Sequence, residues 1–208
     1  MNKKIIILVV LVIVTIGLLL AVYLIQHKKL TDFPKIQTKM TDNFKKQAFD
    51  VSFKGSDTTI KGTLDKSANF KGDILVKDTV VQNIIKVGDK TYTKSPEEEK
   101  WQIQQSSAFL SQIGLMTHPE YIQLQKQLLN SGGSYQYSII FEKPGQDLLK
   151  QMSKEDLAKL QMTGTVLLNK SSFQLKELKF HQGKETTNEV IIDYTINPNP
   201  PTITEPKI

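Results

Sequence analysis

Residues 84–104 read IIKVGDKTYTKSPEEEKWQIQ. Apolar, β-branched and aromatic residues over 80–88 and 90–95 flank Gly88-Asp89, a pair suited to a tight hairpin turn. An acidic knot follows (Glu97, Glu98, Glu99). The chain's single tryptophan, Trp101, then opens a third short strand over 100–104. The knot invites a cation or an acid–base role. Three consecutive acids do not converge on one ion in an extended chain, because neighbouring side chains point to opposite faces. An EF-hand loop would alternate its ligands around a central glycine. The stretch therefore reads as architecture: three strands, with a solvated connection between the last two.

Upstream, the same period of two continues. Phe49, Val51 and Phe53 alternate with Asp50, Ser52 and Lys54. Ile60, Gly62 and Leu64 alternate with Lys61, Thr63 and Asp65. Phe70, Ile74 and Val76 alternate with Lys71, Asp73 and Lys77. These are three strands with one apolar face each. Before them Ile36, Met40 and Phe44 stand four residues apart, which predicts a helix that Asp32 can cap and Pro34 can open.

Downstream, SSAFLSQIGLM places Phe109, Leu110 and Ile113 on one helical face. THPEYIQLQKQLLN begins with Thr117 and Glu120 at capping-box spacing, so Ile122, Leu124, Leu128 and Leu129 are expected on a second helix. SGGS is a loop. In YQYSIIFEK, Tyr135, Tyr137, Ile139 and Phe141 alternate as a strand. PGQDLLKQMSKEDLAKLQ, with Leu148 and Leu157, predicts one or two short helices, Ser153 capping the second. Strands follow over 161–169, 173–181 and 187–196, with a bulge expected at Lys176-Glu177 where the apolar phase slips. The sum is α+β: one antiparallel sheet, covered by helical blocks.

The N-terminal residues follow another rule. Ile5 to Ile25 is a 21-residue run without a charge, and a helix of that length spans about 30 Å, the thickness of a bilayer's hydrocarbon core. It is longer than the apolar region of a cleaved signal peptide and lacks a small-x-small cleavage site. The expected organisation is an uncleaved signal-anchor over 1–30, a folded domain over 31–196 on the extracytoplasmic side, and a proline-rich extended tail over 197–208.

Composition excludes several classes. There is no cysteine, hence no disulfide framework, thiolate site or lipidated N-terminal cysteine. The net charge is +6, of which four lysines flank the apolar run, and every basic residue is lysine. No clustered basic face appears and no arginine fork is available, so nucleic-acid binding is not expected. No G-x-S-x-G elbow and no phosphate-cradling glycine loop occurs. His27, His118 and His181 have no ligand spacing among them. No catalytic group, metal or cofactor is expected.

FDVSFKG, IKGTLD, the quoted hairpin with its lone Trp, GTVLLNKSSFQLKELKF and the closing VIIDYTINPNPPTITEP together resemble the mycobacterial LppX/LprAFG lipoproteins. More distantly they resemble the LolA/LolB lipoprotein-carrier superfamily. The resemblance covers about residues 35–206. It implies a strongly curved antiparallel half-barrel with helices covering the concave face, a cavity between them for a lipid or acyl-chain ligand, an envelope location and no enzymatic activity. Within that frame Phe109, Ile113, Leu124, Leu128, Ile139, Phe141 and Leu148 are the expected lining. The chain departs from the family in having a transmembrane run where the mycobacterial proteins have a lipidated cysteine, and in having no arginine for the carriers' lid. An alternative is a structural or adaptor subunit of an envelope complex, meeting a protein partner through its tail or a sheet edge.

Overall fold

A computed structural model describes residues 14–18, 32–104, 108–152, 163–181 and 189–208, with only the backbone of 108, 109 and 131. The chain forms two units, Met1–Thr31 and Asp32–Ile208. In the first, residues 14–18 are helical with exposed side chains. No described helix is long and apolar enough to cross a membrane. Most of the Ile5 to Ile25 run lies outside the described residues.

The second unit begins with helix α1 (Phe33–Lys45). The Asp32 carboxylate accepts the Lys35 amide at 3.2 Å, which satisfies one of the free donors of the first turn. Ile36, Met40 and Phe44 are its buried stripe, as their spacing predicts. Six strands follow: β1 (Phe49–Lys54), β2 (Thr58–Leu64), β3 (Phe70–Val76), β4 (Thr79–Val87), β5 (Lys90–Lys94) and β6 (Gln102–Gln104). After helix α2 (Ala108–Thr117) and a 3-10 turn (Pro119–Tyr121) come β7 (Ile122–Ser131), β8 (Ser134–Phe141), helix α3 (Lys143–Met152), β9 (Thr163–Asn169), β10 (Leu175–His181) and β11 (Glu189–Ile196).

The eleven strands among the described residues belong to one open sheet in the order β6-β5-β4-β3-β2-β1-β11-β10-β9-β8-β7. Each pairing is antiparallel. Two meanders, β1–β6 and β7–β11, join where β1 meets β11. The two outer strands, β6 and β7, are therefore consecutive in the chain. The connection between them carries α2 from one edge of the sheet to the other.

The period of two assigns one face to apolar residues. In register, Phe49 meets Leu64, Val51 meets Tyr194 and Phe53 meets Ile60 and Ile192. All of these are buried. The three helices lie against this face. Phe44 of α1 stacks on Phe49, ring centroids 4.9 Å apart, and meets Tyr194 edge-on. Gly62 and Gly72 are directly paired. A Cβ on Gly62 would sit 2.6 Å from the Gly72 Cα and 2.7 Å from the Phe70 ring. The two backbones approach as only glycines permit, and the Phe70 ring covers the gap.

The structure corrects one expected element. Residues 122–131 are a strand, not a helix, and their Leu128 and Leu129 are exposed. Thr117 does not cap a following helix. It closes α2, its hydroxyl donating to the Ile113 carbonyl at 3.0 Å. Two register shifts, at Leu124/Lys126 and Gln127/Leu129, break the alternation of β7. They leave apolar residues at helical spacing. The bulge expected at Lys176-Glu177 is present, between Leu175 and Glu177. The strand expected to begin at 173 begins at 175, and residues 161, 162, 187 and 188, like the helix expected to be capped by Ser153, with Leu157, lie outside the described residues. The tail is part of the second unit: Ile203 is buried with Ile85 and Tyr92, and Val87 and Trp101 pack against them.

Candidate functional site

Helix α2 lies between the apolar sheet face and α3. Its sequence, AFLSQIGLMT, places apolar residues around the whole circumference. Such a helix has no face for water and must be enclosed. Ser111, Ile113, Leu115, Met116 and Thr117 are all at least 97% buried. Gly114 admits Leu148 of α3, whose Cδ1 would lie 2.8 Å from a Cβ at that position. Two polar bonds orient α2: the Ser111 hydroxyl donates to Gln151 Oε1 at 2.8 Å, and the Tyr194 hydroxyl donates to the Met116 carbonyl at 3.2 Å.

The expected lining residues divide into groups. Ile113, Leu124, Ile139 and Phe141 are buried. Leu124 and Ile139 are direct cross-strand partners. Phe141 meets Phe180 edge-on at 5.3 Å. Leu148 is half-buried against α2. Leu128 lies beyond the first bulge of β7 at 49% exposure, so it is placed outside this interior. Phe109 belongs to the first turn of α2, and its side chain lies outside the described residues.

One polar group in this interior was not singled out by sequence reasoning. The Tyr137 hydroxyl is buried without a hydrogen-bond partner among the described residues. Burial first, and the neighbouring Tyr135 second, push it up to about 12, so it stays a neutral donor. Tyr194 is likewise raised by burial. The alternation of YQYSIIF placed Tyr137 inward. Only the surrounding packing reveals that none of the described residues satisfies it.

The acidic knot is exposed, and Glu98 accepts the Ser95 amide at 3.3 Å. His118 stacks on Tyr121 and lies 3.0 Å from Glu120, whose carboxyl it holds below the usual range. No group of three or more metal-ligating side chains comes together among the described residues. A groove of about 780 Å³ lies on the other, polar face of the sheet, flanked by Trp101 and by Pro201 of the tail.

No family model matches the chain. No curated protein matches it in sequence. Among solved structures, it is similar to the Mycobacterium tuberculosis lipoprotein LppX, at a TM-score of 0.53 and 14% identity, over 82% of this chain and 99% of that one. A LolA superfamily protein from Nitrosomonas europaea aligns at a TM-score of 0.35 and 9% identity, over 78% of this chain and 91% of that one. The LppX comparison establishes the fold: an open antiparallel sheet with helices on one face, shared with a lipoprotein.

Proposed function

We propose that this protein is a non-enzymatic, extracytoplasmic lipid-binding protein, held at the cytoplasmic membrane by the run Ile5 to Ile25. The ligand is a lipid or another hydrophobic molecule, its acyl chain lying between the apolar sheet face and the helices. The observation that carries this reading is α2, a helix apolar on all sides between sheet and α3. An acyl chain presents the same surface and can take the same place. Each methylene moved out of water contributes about 0.8 kcal/mol, so a long chain is held without directional bonds. The unpartnered Tyr137 hydroxyl supplies the sparse polar contact that such sites use to orient a ligand. The LppX-like fold supports the reading. Ile113, Leu124, Ile139, Phe141 and Leu148 are its proposed lining, with Phe109 at the start of α2.

The test is native mass spectrometry and lipid extraction of the full chain, purified from bacteria in a detergent unlike natural lipid. A stoichiometric lipid that survives purification is the expected result. Its absence, with Ile113, Ile139 and Phe141 protected as they stand at 0–1% exposure, favours a second reading: an envelope adaptor of the same fold whose interior is filled by its own side chains.

A further inference from the structure

The polar face of the sheet carries two rows of side chains running across the strands. In one row Asp193, Ser52, Lys61, Asp73, Asn83 and Lys94 stand opposite one another in succession, from β11 through β1, β2, β3 and β4 to β5. In the next, Thr195, Asp50, Thr63 and Lys71 do the same. Both rows line the groove of about 780 Å³ between Trp101 and Pro201.

The two signs of charge are not used alike. Each carboxylate has an internal donor. Asp50 accepts from the Thr63 hydroxyl and the Asn197 amide, both at 2.9 Å. Asp73 accepts from Asn83 at 2.7 Å, and Asp193 from Lys54 at 2.7 Å. Lys94 rests over the Trp101 ring, 5.4 Å from its centroid. Lys61 and Lys71 have no hydrogen-bond or ion-pair partner among the described residues. Lys61 stands opposite Asp73, and Lys71 lies two residues before Asp73 on β3. They are diagonal cross-strand neighbours, about 7–8 Å apart at their bases and within reach of one point for side chains of this length.

We infer that this groove binds an oxyanion, a phosphate group, carried on an organic molecule. Lys61 and Lys71 hold the anion from two sides as point charges. The volume falls in the range of small-molecule sites and far exceeds a bare ion. The remainder of the ligand lies along the groove toward Trp101. This site is on the face away from the helices and stands independently of the acyl-chain reading.

Trp101, the only tryptophan, is the reporter. The full chain in a non-ionic detergent is titrated with inorganic phosphate, with glycerol 1-phosphate, and with micelles doped with phosphatidylglycerol or phosphatidylcholine. A saturable change in Trp101 emission with a phosphate-bearing probe is expected, weakening as salt is raised. The double variant Lys61→Gln/Lys71→Gln should bind at least tenfold more weakly with an unchanged melting temperature, since both side chains are exposed. Saturation by the soluble probes assigns a free ligand. A response confined to phosphatidylglycerol assigns a lipid headgroup. No response to any probe, an equal response to phosphatidylcholine, or unaltered binding by the double variant overturns the inference. Co-purified lipid in the helix-covered interior, measured on the same double variant, separates this result from the fate of the acyl-chain site.

Discussion

The Tyr92 hydroxyl donates to the Glu205 carboxylate at 2.7 Å, joining residues 113 positions apart. Lys90 reaches the same carboxylate at 3.1 Å. Together with buried Ile203, these bonds hold the tail against β5. Tyr92 is buried, ring and hydroxyl together, whereas the Glu205 carboxylate it meets is half exposed.

The latch has a defined pH window. Hydrogen bonds from Tyr92 first and Lys90 second hold Glu205 below the ordinary 4.5. A depressed carboxylate contributes its stability above its unfolded pKa and loses it as pH falls through the folded value. The bond to Glu205, then burial, raises Tyr92 above the ordinary 10.0. A raised tyrosine contributes below its unfolded value and loses that contribution as pH climbs through the folded one. The tail should therefore stay docked from neutrality past pH 10 and loosen only in acid, below the usual glutamate range. Trp101 emission, which reports the cluster around Ile203, should show an acid transition that Glu205→Gln removes. An unchanged acid transition in that variant would sink the latch.

Ile203→Ala should lower stability by about 2 kcal/mol, the low end for truncating a buried isoleucine at a site near the surface. Urea denaturation followed at Trp101 measures it. A loss of only a few tenths would mean that the tail merely rests on the sheet.

Gly72→Val places a side chain where the paired strands and the Phe70 ring leave no room. A cost of about 3 kcal/mol is expected from this overpacking. The neighbouring Lys71→Val, on the open face, should cost far less, and the comparison by thermal unfolding isolates the steric cause.

Lys77 and Asp78 connect β3 to β4 with φ of 48° and 63°. A two-residue hairpin loop of this kind favours Asn-Gly, because other residues are strained in the left-handed region. Lys77→Asn/Asp78→Gly should stabilise the protein by about 1 kcal/mol, and the melting temperature should rise by about 3 °C for a unit of this size.

Tyr194→Phe removes the donor to the Met116 carbonyl at the end of α2. A loss of about 1 kcal/mol is expected. If α2 gives way to an acyl chain, this variant should also release and exchange bound lipid faster, as native mass spectrometry of a lipid chase would show. Equal exchange rates would remove α2 from the proposed binding step.

Most strands were legible because an amphipathic strand writes its burial directly into the sequence. Phe49, Val51 and Phe53 alternate with polar partners, and each is buried. The α1 stripe and the slip before Glu177 were legible for the same local reason. β7 was not. Its glutamines, lysine and leucines favour helix, and two bulges scramble its alternation, so Leu128 and Leu129 mimic a helical stripe. Pairing with β8, a tertiary fact, decided its state. Among the expected site residues, Ile139 and Phe141 on β8 and Ile113 on α2 are buried, whereas Leu128 is exposed because its position depends on a bulge.

The quoted hairpin, with its turn at Gly88-Asp89 and its exposed acidic connection, was determined by the sequence alone, since turn chemistry and alternation are local. The sequence also determined which residues of β1–β3 face the core. What only the tertiary structure decided is which distant groups meet. Glu205 finds Tyr92, Asp193 joins the row of Ser52 and Lys61, and the Tyr137 hydroxyl is left without a partner among the described residues. Those relationships depend on β1 pairing with β11 and on the tail returning over β5. Contacts between residues so far apart in the chain are set by packing of the whole sheet, which no local period encodes.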